Sequence, residues 1–267
     1  MEYSINDQRI SYEPKGERFW GEERVLLDDA IDLTNETFGE DGFAIVPLLD
    51  PSVFIQFKKN TEALLRSLWS EAGFTMNESF LLTQYHLIAS TKEAHLKAVD
   101  KTKLLTTEQF PVDIRLLEDR ISEICKEKLE VKNPYEQQKV FHFRVIRPLT
   151  GDHNPLHRDV WLEDYSDCIN LYIPIAGSNE LSSLILLPGS HHWPESRIER
   201  TRDGAEINGV RYNVPAVTKI KDGYSLLRPN PQENEVLLFS PYLIHGGAVN
   251  LHKSETRISI EIRLWKK

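Results

Sequence analysis

The chain has only two cysteines in 267 residues, Cys125 and Cys168. They are too few and too isolated for a disulfide framework or a thiolate metal site, so both are expected reduced and at least one buried. Basic residues are also short: 32 against 41 acidic ones leave a net charge of −9. Such a surface repels the phosphate backbone that dominates nucleic-acid affinity, which excludes DNA and RNA as expected partners. No apolar run approaches the ~20 residues that cross a bilayer. The start, "MEYSINDQRISYEPKGERF", lacks the basic-then-apolar run of a secretory signal, so a soluble cytoplasmic protein is expected. There is no internal repeat, no low-complexity tract and no linker long enough to separate a pair of domains. One domain over 1–267 is expected, with a helix-rich region at 1–135 and a β-rich core at 136–267.

What is present is ordinary globular composition, 40% hydrophobic and 27% charged, enough for a sizeable core. The first ~35 residues read as irregular and charged. "DGFAIVPLL" (41–49) then gives a turn signal and a strand. Asp50-Pro51 opens a helix in which Phe54, Phe57, Leu64, Leu65 and Leu68 recur at helical spacing. A second helix is expected from Val112 to Leu129, with Ile114, Leu117, Ile121, Ile124 and Cys125 on one side, and "FLLTQYHLIA" between them reads as a strand.

From Lys139 the texture becomes short β-type runs: "KVFHFRVIR", "CINLYIPI", "SSLILLP", "EVLLFSP" and "RISIEIRLW". Helices followed by such runs suggest a mainly β fold with flanking helices, a barrel or two-sheet jelly roll. In the last run Ile258, Ile260, Ile262 and Leu264 alternate with Arg257, Ser259, Glu261 and Arg263. One face packs on apolar neighbours, and the polar face either meets water or lines an open barrel.

"NPLHRDVW" (154–161) places His157 and Asp159 two positions apart. On a helix their side chains would diverge by about 200°. On an extended segment they share a face, with Arg158 turned away, and can offer one imidazole nitrogen and one carboxylate oxygen to one point. His245 in "LLFSPYLIHGGAVN" is the best-placed third ligand, because the glycines after it permit close approach. Two histidines and a carboxylate with positions left open suit a non-heme Fe(II) oxygenase. The HExxH signature of zinc hydrolases is missing. Arg257, on the polar face downstream, needs an anionic partner, and the distal carboxylate of 2-oxoglutarate is one that fits.

The ordered set "DGFAIVPLLDPSVF", "HRD" (157–159), "LPGSHHWP" (187–194), "HGGAVN" (245–250) and "RIS" (257–259) resembles the phytanoyl-CoA dioxygenase family of Fe(II)/2-oxoglutarate-dependent oxygenases, from about residue 38 onward. The resemblance implies a double-stranded β-helix, a cupin-like barrel, braced by helices. It implies that His157, Asp159 and His245 hold Fe(II), that Arg257 with Ser259 anchors 2-oxoglutarate, and that O2 is the oxidant. Relatives that halogenate replace the carboxylate with a small residue, so Asp159 points to hydroxylation.

Tyr172 and Arg144 are the favoured further cosubstrate contacts, ahead of Asn170 and His142; for each of these a core or surface role is the competing explanation. Trp161 and His191 are expected at the substrate, against the alternatives of a core tryptophan and a turn histidine. The excursion from Glu195 to Pro231 is long enough for a lid. Its Arg197, Arg200, Arg202 and Arg211 either meet an anionic substrate or balance nearby charge. Two alternatives stay open: a cupin-like metalloenzyme that does not use 2-oxoglutarate, and a non-catalytic metal-binding barrel. A small molecule is the expected substrate.

Overall fold

The structure is a computed structural model and describes residues 1–29 and 39–267. Its short N-terminal strands are β1 (Glu2–Ile5), β2 (Gln8–Ser11) and β3 (Arg18–Trp20). β4 (Phe43–Pro47) leads into the helical region: α1 (Pro51–Glu71), α2 (Tyr85–Ile88), α3 (Lys92–Thr102), the two-residue β5 (Leu105–Thr106) and α4 (Ile114–Cys125). After β6 (Leu129–Glu130) come β7 (Val140–Ile146), β8 (Cys168–Ala176) and β9 (Ile185–Leu186). The excursion holds β10 (Ile198–Thr201), β11 (Ala205–Ile207), β12 (Val210–Tyr212) and β13 (Val217–Ile220). β14 (Glu235–Phe239), β15 (His245–Gly246) and β16 (Arg257–Lys266) complete the chain.

The barrel is a double-stranded β-helix. Its larger face runs β4-β14-β8-β16-β7-β5, antiparallel throughout, with β6 added on β16. The opposite face is narrow: the bridge His157↔His245, then β15 on β9, then the bridge Leu186↔Leu227. From β7 onward the chain alternates between the two faces, which is the jelly-roll path.

β16 explains how the barrel separates its two environments. Ile258, Ile260, Ile262 and Leu264 are fully buried in the main core with Leu65, Trp69, Leu117, Ile121 and Phe141, so the helices cover the outer side of the large sheet. Arg257, Ser259, Glu261 and Arg263 point inward, and Arg257 and Ser259 are buried too. The polar face therefore lines the barrel interior and is not a wet surface. Along β16 the pairing with β8 shifts register between Ile258 and Ser259, opposite Pro174, a residue with no amide proton to give the ladder.

α1 buries Phe54, Phe57, Leu65 and Leu68 as its spacing requires. Asp50 makes no side-chain cap; Pro51 stands at the first turn, and the Asp50 carbonyl accepts from the Phe54 amide. α4 buries Leu117, Ile121 and Cys125 and stops at the left-handed Lys126, shorter than the 112–129 expected.

Two expectations fail. Residues 80–89 are not a strand: after a 3-10 turn they form the short α2, and across this stretch Tyr85 and Ala89 are buried while Leu81 and Leu87 are exposed. Burial at i and i+4 is helical spacing, and the run of apolar letters hid it. The N-terminal stretch is not irregular either. β1 and β2 form a hairpin, and β3 pairs with β10 from the excursion. Residues 30–35 of that stretch lie outside the described residues. Both cysteines are free and buried, and burial pushes the Cys125 thiol up to about 12.

Candidate active site

His157 and His245 face each other because their backbones do. Each amide donates to the other's carbonyl, His157 N to His245 O at 2.8 Å and His245 N to His157 O at 2.9 Å. The rings lie 4.3 Å apart between centroids. His157 Nδ1 is 2.8 Å from the Pro155 carbonyl and His245 Nδ1 is 2.9 Å from the Leu243 carbonyl. A carbonyl only accepts, so both Nδ1 atoms carry a proton, which leaves the Nε2 atoms as the ones turned toward a ligand position. Burial, then the neighbouring His157, lowers His245 to about 4, which keeps it neutral.

The two Nε2 atoms point at one oxygen. Asp159 Oδ1 lies 3.3 Å from His157 Nε2 and 3.7 Å from His245 Nε2. All three side chains are buried, and their ligand atoms fall within 4.8 Å of one another. Burial alone would raise the Asp159 carboxyl, but Arg263, then His245 and His157, hold it well below the ordinary carboxylate range. Two imidazoles and one carboxylate converging on a point fit a divalent metal ion, with the remaining coordination sites left to small ligands.

Asp159 does not continue an extended segment. Pro241 O accepts from the amides of both Asp159 and Val160, at 3.0 and 3.3 Å, and Asp159–Trp161 curl into a 3-10 turn. Trp161 is thereby carried away from the ligands. Its indole N–H donates to Glu195 Oε2 at 2.9 Å, and the Arg200 guanidinium lies 4.6 Å over its ring. Nor does Arg158 face solvent: it is wholly buried, donating to Glu195 Oε1 and to the Ser190 carbonyl. His191 also sits outside the cleft, buried in the Ser190–His192 turn against His192 and under Gly42, where a Cβ would come 2.6 Å from its Nδ1.

The cleft beside the three ligands is lined by Arg144, Asn170, Phe239, Arg257, Glu261 and Arg263, among others. Arg257 is 2% exposed, its Nη1 donates to Ser259 Oγ at 3.3 Å, and its Nε has no protein partner. Among the described residues no carboxylate lies within ion-pair distance of it. The amide Nδ2 of Asn170 is likewise buried without a partner. Buried donors in this state call for an acceptor from outside the chain, and a dicarboxylate supplies several.

Arg144 reaches the cleft but is engaged by Glu261 at 2.7 Å. The Tyr172 hydroxyl is bonded to Ser178 Oγ at 2.7 Å, and its ring lies 5.5 Å from the Arg257 guanidinium, so it supports the arginine from the side. His142 Nδ1 accepts from the Leu104 amide at 3.0 Å. Asn170 is thus better placed for a ligand than Tyr172. Sequence reasoning also missed Arg263, whose Nε and Nη2 donate to Asp159 Oδ2 at 3.2 and 3.0 Å. The signal was there, since Arg263 shares the alternating polar face with Arg257.

Gly246 shows why the motif needs glycine. Its φ is +113°, and a Cβ there would strike the Pro155 carbonyl oxygen and come 3.1 Å from His157 Nδ1. Gly246→Ala is expected to cost about 2 kcal/mol or more of stability from the backbone strain alone, and to weaken metal binding by displacing His157. Thermal unfolding and a metal titration measure the two effects separately.

A wider groove opens from this cleft, sharing Arg144, Ile146, Asp152 and His153 with it. Its walls are α3 (Leu96, Val99), the open edge of β7, and the β11–β12 hairpin (Ile207, Tyr212). The excursion's arginines are mostly occupied: Arg200 lies over Phe19 as well as Trp161, Arg202 pairs with Glu17 at 2.9 Å, and Arg197 stacks on Trp193.

The family model for phytanoyl-CoA dioxygenase (PhyH) matches residues 38–258. The chain belongs to the phytanoyl-CoA dioxygenase family. No curated protein matches it significantly. Among solved structures, AviO1 from Streptomyces viridochromogenes Tue57 is 18% identical, with a TM-score of 0.50 over 91% of this chain and 97% of its own. EvdMO1 is 18% identical, with a TM-score of 0.51 over 86% of this chain and 48% of its own. At such identities the likeness is one of fold. Among the described residues, no helix is long and apolar enough to cross a membrane.

Proposed function

We propose that this member of the phytanoyl-CoA dioxygenase family is an Fe(II)- and 2-oxoglutarate-dependent oxygenase that hydroxylates a C–H bond of a small molecule, with release of succinate and CO2. The observation that carries it is the convergence of His157, Asp159 and His245 on one point, beside a buried arginine that has no carboxylate of its own. Fe(II) with bound 2-oxoglutarate would supply the oxidative chemistry, coupling activation of O2 to decarboxylation of the keto acid.

The chain's own role is placement. His157 and His245 hold their rings fixed through Nδ1 with Nε2 turned to the metal position, and Asp159 contributes one oxygen and a negative charge that offsets the metal's. Arg257, steadied by Ser259 and the flank of Tyr172, receives the distal carboxylate of the cosubstrate, and Asn170 donates to its other end. The substrate, a metabolite of the sugar- or lipid-precursor kind, lies in the groove under the β11–β12 hairpin, which acts as a lid. Asp159 in place of a small residue favours hydroxylation over halogenation.

Anaerobic addition of Fe(II) and 2-oxoglutarate to the metal-free protein should produce a weak visible charge-transfer band, and Asp159→Ala should abolish it. Exposure to O2 should then release succinate, faster with a true substrate. A wild-type protein that gives neither band nor succinate rules the proposal out.

A further inference from the structure

Asp159 uses its two oxygens for different tasks. Oδ1 faces the two imidazoles, whereas Oδ2 takes both donors of the Arg263 fork, at 3.2 and 3.0 Å. Arg263 is itself fixed: it projects inward from the middle of the large sheet, opposite Asn170 in the β8 register, and its guanidinium lies 4.7 Å over the Tyr165 ring. A guanidinium stays charged at any working pH, so both of its donors remain available to the carboxylate.

A carboxylate with both oxygens free can chelate a metal through two bonds. One whose outer oxygen is held by two charge-assisted hydrogen bonds has only the inner oxygen to offer. We infer that Arg263 is a positioning residue that holds Asp159 to single-oxygen ligation, so that the coordination position a chelating carboxylate would occupy stays open for the cosubstrate.

This rests on the proposed Fe(II)/2-oxoglutarate chemistry and makes a claim of its own: Arg263 governs how strongly metal and cosubstrate assist each other's binding. Arg257 governs cosubstrate affinity whether or not metal is bound. The two arginines share one strand and split one binding event.

The test is a thermodynamic cycle under anaerobic conditions, titrating 2-oxoglutarate into the full chain with and without Mn(II) as a redox-silent metal. In the wild type, metal should tighten 2-oxoglutarate binding. In Arg263→Met that enhancement should shrink by about 10- to 100-fold, the usual effect of losing a group that orients a metal ligand, while metal-free 2-oxoglutarate affinity stays within about threefold. Arg263→Lys, which keeps a charged donor within reach of Oδ2, should recover most of the enhancement. A purely structural role through packing on Tyr165 predicts Lys no better than Met.

If Arg263→Met fails to fold, Arg263→Gln carries the same comparison. An enhancement left unchanged in the folded neutral variant, or lost equally in Lys and Met, overturns the inference. A wild-type protein without any metal enhancement overturns instead the Fe(II)/2-oxoglutarate reading on which it rests.

Discussion

Arg257→Gln is expected to raise the dissociation constant for 2-oxoglutarate by at least about 30-fold while leaving metal affinity nearly intact. The guanidinium is 2% exposed, and its Nε lacks a protein partner. A bound dicarboxylate would be paired with it inside the barrel, and truncating one member of a buried, hydrogen-bonded charge pair costs roughly 2–5 kcal/mol. At about 1.4 kcal/mol for each tenfold, that range starts near 30-fold and extends beyond a thousandfold. Isothermal titration with Mn(II) present measures it. An unchanged constant would move the anchor elsewhere, and Arg228 is another buried guanidinium, held by the Ser183 and Val249 carbonyls and by Asn6.

The second large effect is one of stability. Glu195 accepts from Arg158 and from the Trp161 indole, and Arg158 is wholly buried between His157 and Asp159 in sequence. Glu195→Ala strands that charge, which typically costs roughly 3–5 kcal/mol. For a chain of this size the melting temperature should fall by roughly 10 °C. Replacing both partners with apolar residues of similar volume, Arg158→Met with Glu195→Leu, should recover most of the loss, because the cost lies in the unpaired charge and not in the missing bond. Scanning calorimetry of the wild type and the two variants decides it. A Glu195→Ala protein that melts like the wild type would show that Arg158 finds another partner.

The convergence of His157, Asp159 and His245, with Arg257 on the neighbouring cleft wall, was legible in the sequence because each carries a local signal: alternation for His157 and Asp159, paired glycines for His245, an alternating strand for Arg257. The family motifs ordered them. What local pattern does not reveal is where an extended segment ends. Asp159 was expected on a strand, yet the Pro241 carbonyl, far along the chain, captures two amides and turns the backbone there. Trp161 was misplaced for that reason. β3 escaped notice because it is three residues long and its partner β10 lies in the distant excursion. The polar side of β16 left two readings open, and only the closure of the barrel decides between water and interior.

That closure has an evolutionary corollary. Along residues 257–264 of β16, every second position packs in the main core and the intervening ones face the barrel interior. Ile258, Ile260, Ile262 and Leu264 can exchange for other aliphatics of like volume with modest loss, whereas the positions between them answer to coordination chemistry. Two kinds of selection thus act on one stretch of backbone with little interference, so long as no insertion shifts the phase; a single added residue would exchange the two sets and forfeit both at once.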